Sequence, residues 1–254
     1  MRTLPISVCT LALNEEKNIA RCLQSVPFAA ERILVDSGST DRTVEIAKGL
    51  GARVVTHPFE GYVAQSAYSI SLAAQPWVLQ LDADEALGET LQSEILARFG
   101  DLEPPEDGFR MPRCTFFFDR WIRHSGWYPD YKTRLFRKDR GRISGEEPHQ
   151  HGEVDGRLGT LSNSILHHTY SGLDDHARTI ERLARMSAES RRKAGRKPSL
   201  LRAALAPAFK ALRAYVWKRG FLDGRAGLLL ALYAAHYAFL KEAYLFESPP
   251  PAKG

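Results

Sequence analysis

Two acidic residues separated by one residue, Asp82 and Asp84, follow an apolar run over residues 77–81 that suits a buried strand. Alternation along an extended chain can turn both carboxylates to one side, where they would share a divalent cation. Mg²⁺ or Mn²⁺ bound together with a diphosphate fits such a site. Carboxylates at this spacing also occur on ordinary solvated loops, so the pair alone leaves both alternatives open.

Asp36 also comes directly after an apolar run, residues 32–35, and a polar turn over residues 37–41 follows it. At the end of a strand in a doubly wound sheet, an acidic residue can accept hydrogen bonds from the base or ribose of a nucleotide. The alternative is that Asp36 caps the following helix, a role that Ser39 or Thr40 would also fill.

Strand and helix patterns alternate through the first hundred residues, and they are the elements that must position these carboxylates. The apolar runs predict strands, and the periodic segments between them predict helices. We therefore expect an α/β fold with a mostly parallel sheet, in which ligands bind beyond the carboxyl ends of the strands. Strands are predicted over residues 6–13, 32–35, 53–56 and 77–81, and helices over 14–26, 41–49 and 62–74.

The rest of the chain divides into two parts. Residues 116–137 are rich in aromatic and arginine residues and predict short strands and loops that complete a pocket. Residues 178–192 and 200–246 predict helices, with a glycine-rich turn at 220–227. We expect a catalytic domain over residues 1–177 and a helical C-terminal region over residues 178–254.

Charge is unevenly spread along the chain, whose formal net charge is +5. Residues 1–177 contain 25 acidic and 19 basic residues, whereas residues 178–225 contain 14 basic and 3 acidic residues. Such a basic segment suits nucleic acid, an anionic membrane surface or an anionic acceptor, and a solvated helix face is the remaining alternative, because charge alone does not choose among them. Nucleic acid is not an expected partner, because no groove-reading motif accompanies the charge.

Location follows from the N-terminus and from the apolar segment 227–246. The N-terminus does not have a signal-peptide pattern, and the three cysteines lack paired spacing, so we expect a cytoplasmic protein. His236, Lys241 and Glu242 interrupt the apolar segment. A helix on the inner face of the cytoplasmic membrane, or one packed on the body, is therefore favoured over a transmembrane span.

Three ordered segments, residues 10–15, 35–41 and 79–85, resemble the pattern of family 2 glycosyltransferases. Residues 126–131, 134–137 and 220–224 are similar to the subgroup that contains lipopolysaccharide core β-glucosyltransferases. The resemblance implies a Rossmann-like GT-A fold and a divalent metal, Mg²⁺ or Mn²⁺. It implies a UDP-sugar pocket lined by Asn14, Glu15 and Asp36, with Asp82 at the ribose and Asp84 and His149 at the metal.

The reaction that the resemblance implies is an inverting transfer, which needs a carboxylate to deprotonate the acceptor hydroxyl. Asp130 is the first candidate for this base, and Glu146 and Glu147 are the alternatives. Gln150 stands where the subgroup has a carboxylate, and an amide cannot act as a base. We expect Arg134 to contact the diphosphate through bidentate hydrogen bonds.

Aromatic and histidine residues also occur near the predicted pocket. Trp127 and Tyr128 are the best candidates to stack on a sugar ring, since they precede Asp130. No carboxylate has usable spacing to His167, His168 or His176, so these histidines are expected to be structural.

The predicted function is transfer of a hexose, glucose from UDP-glucose, to a lipopolysaccharide-core or other lipid-linked acceptor. The alternative is a noncatalytic protein of the same fold that binds nucleotide sugar or glycan. Gln150, Ser66 and Ala67 keep this alternative open because they depart from the subgroup. A nucleotidyltransferase is disfavoured, since no glycine-rich, basic loop follows the first strand.

Overall fold

The computed structural model of the protein describes residues 2–100, 103–145, 150–170 and 172–247. Within these residues the chain forms twelve β-strands and seven α-helices. The strands are β1 (Leu4–Ala12), β2 (Ala29–Asp36), β3 (Arg53–Thr56), β4 (Trp77–Asp82), β5 (Glu85–Leu87), β6 (Gly108–Phe117), β7 (Arg120–Trp121), β8 (Asp130–Arg137), β9 (Gly141–Ser144), β10 (His151–Val154), β11 (Leu158–Thr160) and β12 (Ile165–His167). The helices are α1 (Ile19–Gln24), α2 (Thr43–Gly49), α3 (Tyr62–Ser71), α4 (Glu89–Arg98), α5 (Leu173–Lys193), α6 (Leu200–Leu212) and α7 (Gly224–Ala243).

The first four strands form a parallel block in the order β3-β2-β1-β4. β1 pairs in parallel with β2 and with β4, and Thr10 is aligned with both Leu34 and Leu81. Parallel neighbours require crossover connections, which the alternating helices supply. The α/β fold predicted from the sequence is therefore confirmed, and the carboxyl ends of β1, β2 and β4 share one edge.

Antiparallel strands extend the sheet beyond β4. β8 pairs with both β4 and β6, and Arg113 on β6 stands opposite Asp130 on β8. β12 pairs with β5, and His167 is aligned with Glu85. These pairings bring residues that are distant in the chain to the edge at which β4 ends.

The core lies against the sheet and holds β4 in place. Residues 77–81 are all buried, as expected for a strand covered on both faces. The ring of Trp77 packs against Phe99 and Phe109, with centroids 5.0 Å and 6.2 Å away. Burial of a large aromatic ring contributes about 1.5–3 kcal/mol. This packing fixes the position of Asp82, the last residue of β4.

The first helix begins later than the sequence predicts. Asn14 has a φ of 57°, in the left-handed region that asparagine tolerates, and α1 begins only at Ile19. The Oδ1 atom of Asn14 accepts a hydrogen bond from the Thr40 N–H at 2.8 Å, which holds residue 14 in a loop. The predicted helix start at residue 14 is therefore wrong.

Contacts divide the chain into two compact units. The first comprises residues 1–114 and 129–168 and contains most of the sheet, and the second comprises residues 115–128 and 169–254. The boundary expected after residue 177 falls inside α5, because this helix begins at Leu173. Asp174 and Asp175 stabilise its first turn. The assignment of one function to each part stays a prediction.

The second unit contains the predicted C-terminal helices. A π-helix (Arg213–Trp217) follows α6, and a short 3₁₀-helix (Gly220–Asp223) precedes α7. A side chain at Gly227 would collide with the carbonyl oxygen of Gly220, so the glycine-rich turn is a point of close backbone packing. In the described part of the chain, no helix has the length and apolar character needed to cross a bilayer.

Asp223 ties a loop of the second unit to the start of α7. Its carboxylate accepts hydrogen bonds from the backbone N–H groups of Arg123 at 3.2 Å and His124 at 2.9 Å. The Nδ1 atom of His124 lies 3.0 Å from the same carboxylate. Because Asp223 is buried, these contacts replace the water it gives up.

His176 is buried in an aromatic cluster of the second unit. Neither of its ring nitrogens has a hydrogen-bond partner within the described residues. Burial lowers the pKa of His176 to about 4. The imidazole is therefore neutral at physiological pH. The surrounding rings are those of Phe117, Trp127, Tyr170 and Tyr233.

The three cysteines, Cys9, Cys22 and Cys114, are buried thiols. Burial raises the pKa of Cys9 and of Cys22 to about 12. The thiolate is the reactive form of cysteine, so Cys9 and Cys22 are chemically inert near neutral pH.

Candidate active site

The candidate site lies at the edge where β1, β2 and β4 end. Asp36 is the last residue of β2, Asp82 is the last residue of β4, and Asn14 follows β1 closely. Ala12 is aligned with Asp36 and Leu11 with Asp82, so the three strand ends are in register. This is the edge at which open α/β sheets bind their ligands.

Asn14 and Glu15 shape the loop after β1. The Asn14 N–H donates a hydrogen bond to Ser39 Oγ at 2.9 Å, and the Glu15 N–H donates one to Thr43 Oγ1 at 2.8 Å. Burial raises the pKa of the Glu15 carboxyl. The two residues therefore join the ends of β1 and β2, and their expected contacts with a nucleotide stay predictions.

Asp36 is buried and holds the turn that follows β2. Its carboxylate accepts hydrogen bonds from the N–H groups of Gly38 and Ser39, both at 3.0 Å. Gly38 has a φ of 98°, which suits glycine in such a turn. The alternative in which Asp36 caps α2 is wrong, because Arg42 is the N-cap of that helix. A carboxylate has about four acceptor positions, so Asp36 retains capacity for a ligand.

Arg134 is clamped between two carboxylates. Its Nη2 atom lies 2.5 Å from Asp82 Oδ2 and 3.0 Å from Glu85 Oε1. Burial acts in the opposite direction, but the neighbouring Asp82 and Glu85 raise the pKa of Arg134 above its ordinary value. The guanidinium therefore stays charged. The predicted contact with a diphosphate would use the N–H groups of Arg134 that Asp82 and Glu85 leave free.

Glu85 is the buried centre of this network. It is fully buried, and its Oε2 atom accepts a hydrogen bond from the Asp82 N–H at 3.1 Å. Although burial opposes ionisation, Arg134 and Arg113 hold the pKa of Glu85 below its usual range. Glu85 thus positions Asp82 through the backbone and two arginines through its charge.

Asp130, the candidate base, lies between two cations. Arg113 donates hydrogen bonds to Asp130 Oδ2 through Nε at 3.1 Å and Nη2 at 2.8 Å, and Lys132 Nζ lies 3.2 Å from Oδ1. The carboxylate is partly exposed, so an acceptor can reach it. To accept a proton from a sugar hydroxyl, Asp130 would have to exchange one of these contacts.

Asp84 has a histidine partner that the sequence does not predict. His167 Nε2 lies 3.2 Å from Asp84 Oδ2, and the His168 N–H donates a hydrogen bond to the Asp84 carbonyl oxygen at 2.9 Å. The pairing follows from the antiparallel register of β12 with β5. The expectation that His167 lacks a carboxylate partner is therefore wrong.

Asp84 and His167 supply two of the atom types that ligate divalent metals. Among the described residues, no group of three or more histidine, cysteine or acidic side chains can hold a metal ion. Asp84 Oδ2 and His167 Nε2 lie 3.2 Å apart, the distance of an ion pair or hydrogen bond, and a metal bound by both would replace this contact. Such an ion usually takes its remaining ligands from phosphate and water. His149, the predicted second ligand, lies outside the described residues, as do Glu146 and Glu147.

A cavity of about 540 Å³ opens beside Asp82 and Arg134, a volume that suits a small-molecule ligand. Two buried donors in its lining, Gln80 Nε2 and Arg134 Nε, have no hydrogen-bond partner in the described part of the chain. An unpaired buried donor is costly, although both of these atoms lie beneath the accessible surface of the cavity. Further cations in the lining are Arg110, Arg113 and Lys132.

Sequence reasoning misses Glu85, Arg113 and His167. Glu85 directly follows Asp84, and this adjacency is the one feature of the sequence that indicates a place for Glu85 in the site. Arg113 and His167 reach the site only through the antiparallel pairings of β6 and β12, and local sequence pattern does not predict which strands pair or in what register.

Two known proteins are similar in sequence to this chain over most of its length. The chain is 27% identical to the lipopolysaccharide core biosynthesis glycosyltransferase LpsC of Rhizobium meliloti, over 96% of this chain and 93% of that protein. It is 30% identical to an uncharacterized glycosyltransferase of Rickettsia bellii, over 96% of this chain and 87% of that protein.

Among solved structures, the chain is similar to glucosyl-3-phosphoglycerate synthase from Mycobacterium tuberculosis in complex with Mn²⁺, UDP and glucosyl-3-phosphoglycerate. The identity is 27%, the TM-score is 0.35, and the match covers 46% of this chain and 44% of that chain. The family model described as glycosyl transferase family 2 matches residues 7–152, more than half of the chain. The chain belongs to glycosyl transferase family 2 and is a glycosyltransferase.

Proposed function

We propose that the protein transfers a hexose, glucose, from a UDP-sugar to a lipopolysaccharide-core or other lipid-linked acceptor, with inversion at the anomeric carbon. One observation carries the proposal. Asp82 and Arg134, whose side chains pair at 2.5 Å, line a cavity at the ligand-binding edge of the sheet, together with the cations Arg110, Arg113 and Lys132. A phosphorylated sugar would supply negatively charged oxygens to these cations.

On the donor side, we assign the nucleoside to the ends of β1 and β2. Asn14 and Glu15 form the wall after β1, and Asp36 has acceptor capacity for the base or ribose. Asp82 takes the ribose, and Arg134, which lines the cavity, takes the diphosphate through the guanidinium N–H groups that the two carboxylates leave free.

We assign a divalent metal, Mg²⁺ or Mn²⁺, to Asp84. The 3.2 Å separation of Asp84 Oδ2 and His167 Nε2 supports His167 as a second protein ligand, and His149 remains a further candidate. When bound, the ion would neutralise charge that develops on the departing diphosphate.

We assign the base to Asp130. Its partial exposure beside Arg113 and Lys132 supports this role, since an acceptor hydroxyl can approach while the two cations keep the carboxylate oriented. The same cations favour an acceptor that carries negative charge near the reacting hydroxyl.

The acceptor assignment is supported by similarity to a relative named for lipopolysaccharide core biosynthesis and by the basic segment over residues 178–225. An acceptor held in a bilayer would place the enzyme at the inner face of the cytoplasmic membrane. There the basic residues would meet anionic lipid.

The alternative function is binding of nucleotide sugar or glycan without transfer. It is favoured by Gln150, an amide at the position where the subgroup has a carboxylate, and by Ser66 and Ala67. Such a protein would bind a UDP-sugar and release no nucleotide.

A donor screen distinguishes these functions. The purified protein is mixed with Mn²⁺ or Mg²⁺ and with a panel of UDP-, GDP- and dTDP-sugars, and both calorimetric binding and release of free nucleotide are measured. We expect binding and slow release for one UDP-sugar, with both lost in chelator. Binding without release supports the noncatalytic alternative, and no binding across the panel contradicts both functions.

Two variants test the metal assignment. We expect Asp84→Asn and His167→Ala each to lower metal-dependent nucleotide release by about 100-fold, because each removes one ligand of the ion that stabilises the leaving group. Asp139→Asn is the matched control, since this carboxylate pairs with Arg137 on the surface. Full activity of Asp84→Asn, with an unchanged metal requirement, would remove Asp84 from the site.

A further inference from the structure

The solvent-facing side of α6 is apolar. Leu201, Leu205 and Phe209 are 68%, 61% and 51% exposed, and α6 has no buried residue. The exposed positions recur every three or four residues and therefore lie on one face. We call this face the apolar stripe, and its members are Leu201, Ala204, Leu205, Ala208, Phe209 and Leu212.

The apolar stripe reverses the usual arrangement of a surface helix. A helix on a globular protein normally turns its apolar face to the core and its polar face to water. Here α6 contacts α7, and its partly covered positions include Arg202, whose Nε atom lies 3.2 Å from the buried Glu242. The charge thus faces the protein, while the leucines and the phenylalanine face outward.

The exposed apolar surface continues past the end of α6. Trp217 in the π-helix is 58% exposed, and its ring packs edge-on against Phe209 with centroids 5.4 Å apart. The exposed apolar surface from residue 201 to residue 217, which includes the apolar stripe and Trp217, extends for about 24 Å at the rise of a helix. Apolar patches of this extent on a soluble chain mark interaction surfaces. Other exposed members are Val216, Phe221 and Leu222.

Positive charge accompanies the stripe throughout. Residues 191–241 contain twelve lysine and arginine residues and one acidic residue, Asp223, which is buried. Arg213, Lys218 and Arg219 are exposed next to the apolar residues. A helix with leucine and aromatic residues on one face and basic residues alongside is typical of segments that lie in the interface of a bilayer.

We infer that the apolar stripe docks on an anionic lipid surface, with Leu205, Phe209 and Trp217 inserted among the acyl chains. The exposed cations alongside would contact the lipid headgroups. A second copy of this chain is disfavoured as the partner, because a symmetric contact through the stripe would bring two strongly basic segments together.

This inference deepens the proposed function by naming the surface that meets the membrane, and its test does not depend on glycosyl transfer. The full-length protein, without donor or acceptor, is mixed with vesicles of phosphatidylcholine alone or with 30% phosphatidylglycerol, and bound protein is separated by flotation. We expect binding to the anionic vesicles, weakened by 0.5 M NaCl because salt screens the headgroup contacts.

The double variant Leu205→Glu with Phe209→Glu probes the stripe directly. We expect its binding to anionic vesicles to fall at least tenfold, since two apolar side chains lose their burial and two charges are added. Met186→Glu is the matched control, an exposed apolar residue on α5 that should bind like the unaltered protein. Circular dichroism checks that both variants stay folded.

Three outcomes overturn the inference. They are no binding of the folded protein to anionic vesicles, equal binding of the double variant, and a dimer in light scattering that the double variant dissociates. Loss of donor binding with intact vesicle binding would instead contradict the proposed function and leave the membrane surface standing.

Discussion

Glu85 is the residue on which the candidate site depends most. It has no exposed surface, yet it is charged, because Arg113 and Arg134 approach it at 3.2 Å and 3.0 Å. A buried carboxylate is stable only with such partners. The same arginines reach outward to Asp130 and Asp82, so one buried charge holds the orientation of two residues that face the ligand edge.

We expect Glu85→Gln to lower the free energy of unfolding by about 3 kcal/mol, because it removes the buried charge that Arg113 and Arg134 share and leaves each with one carboxylate partner instead of two. Chemical denaturation measures the change. Glu45→Gln is the control, since Glu45 pairs with Arg42 on the surface and its loss should leave stability nearly unchanged. An equal, small effect in both variants would mean that Glu85 does not organise the network.

At this scale the sequence predicts the residues that end strands but not those that support them. Asp36 and Asp82 can be recognised because each follows an apolar run. Arg113 and His167 cannot, since their proximity to the site arises from antiparallel registers between strands that are distant in the chain. Such registers depend on packing over the whole sheet rather than on local pattern.

Among the elements, the aromatic cluster around His176 makes α5 sensitive to acid. The buried imidazole has no hydrogen-bond partner among the described residues, and its ring lies 4.4 Å from Tyr170 and 4.5 Å from Tyr233, centroid to centroid. Protonation would place an uncompensated charge there, which is costly. The second unit therefore has a buried group that favours unfolding at low pH.

Stability should fall as pH decreases from about 6.5 toward 4. The pKa of folded His176 is about 4, below its unfolded value of 6.5, so the unfolded state binds more protons over this interval. The contribution of neutral His176 to stability is therefore present in full only above the unfolded pKa. We expect His176→Phe to flatten this dependence in denaturation curves measured across pH. His151→Phe, at an exposed position, should leave the slope as it is, and equal slopes for all three proteins would refute the prediction.

The start of α7 packs closely against the 3₁₀-helix that precedes it, at Gly227 and Gly220. We expect Gly227→Ala to lower the melting temperature by several degrees, because the added methyl group must displace the backbone at Gly220. Gly49→Ala should have little effect, since a methyl group at Gly49 meets no atom within 4 Å. Thermal unfolding followed by circular dichroism compares the two, and similar melting temperatures would argue against close packing here.

Elements with a strong local pattern are predicted well, as β3 shows, since it spans the predicted residues 53–56. The first helix is predicted poorly because the bond from Thr40 to Asn14 overrides local helix propensity. α5 begins at Leu173 rather than at residue 178, since acidic residues stabilise its first turn. The hydrophobic periodicity of the sequence does not predict helix boundaries that depend on tertiary contacts.

For the whole molecule, ligand binding should appear as a gain in stability. We expect UDP together with Mn²⁺ to stabilise the protein by about 2.7 kcal/mol when UDP is at 100 times its dissociation constant. Differential scanning fluorimetry follows the melting temperature, with chelator as the control. The same shift in chelator would contradict a metal-dependent nucleotide site while leaving nucleotide binding intact.

The burial of all three cysteines gives the molecule a practical property. Thiol-reactive dyes would find no accessible target at Cys9, Cys22 or Cys114 while the protein is folded. A cysteine introduced by Leu205→Cys would then be the one site that takes up a fluorophore. A polarity-sensitive dye at that position would brighten as it leaves water, so a single labelled sample would report the kinetics of arrival at a vesicle in real time.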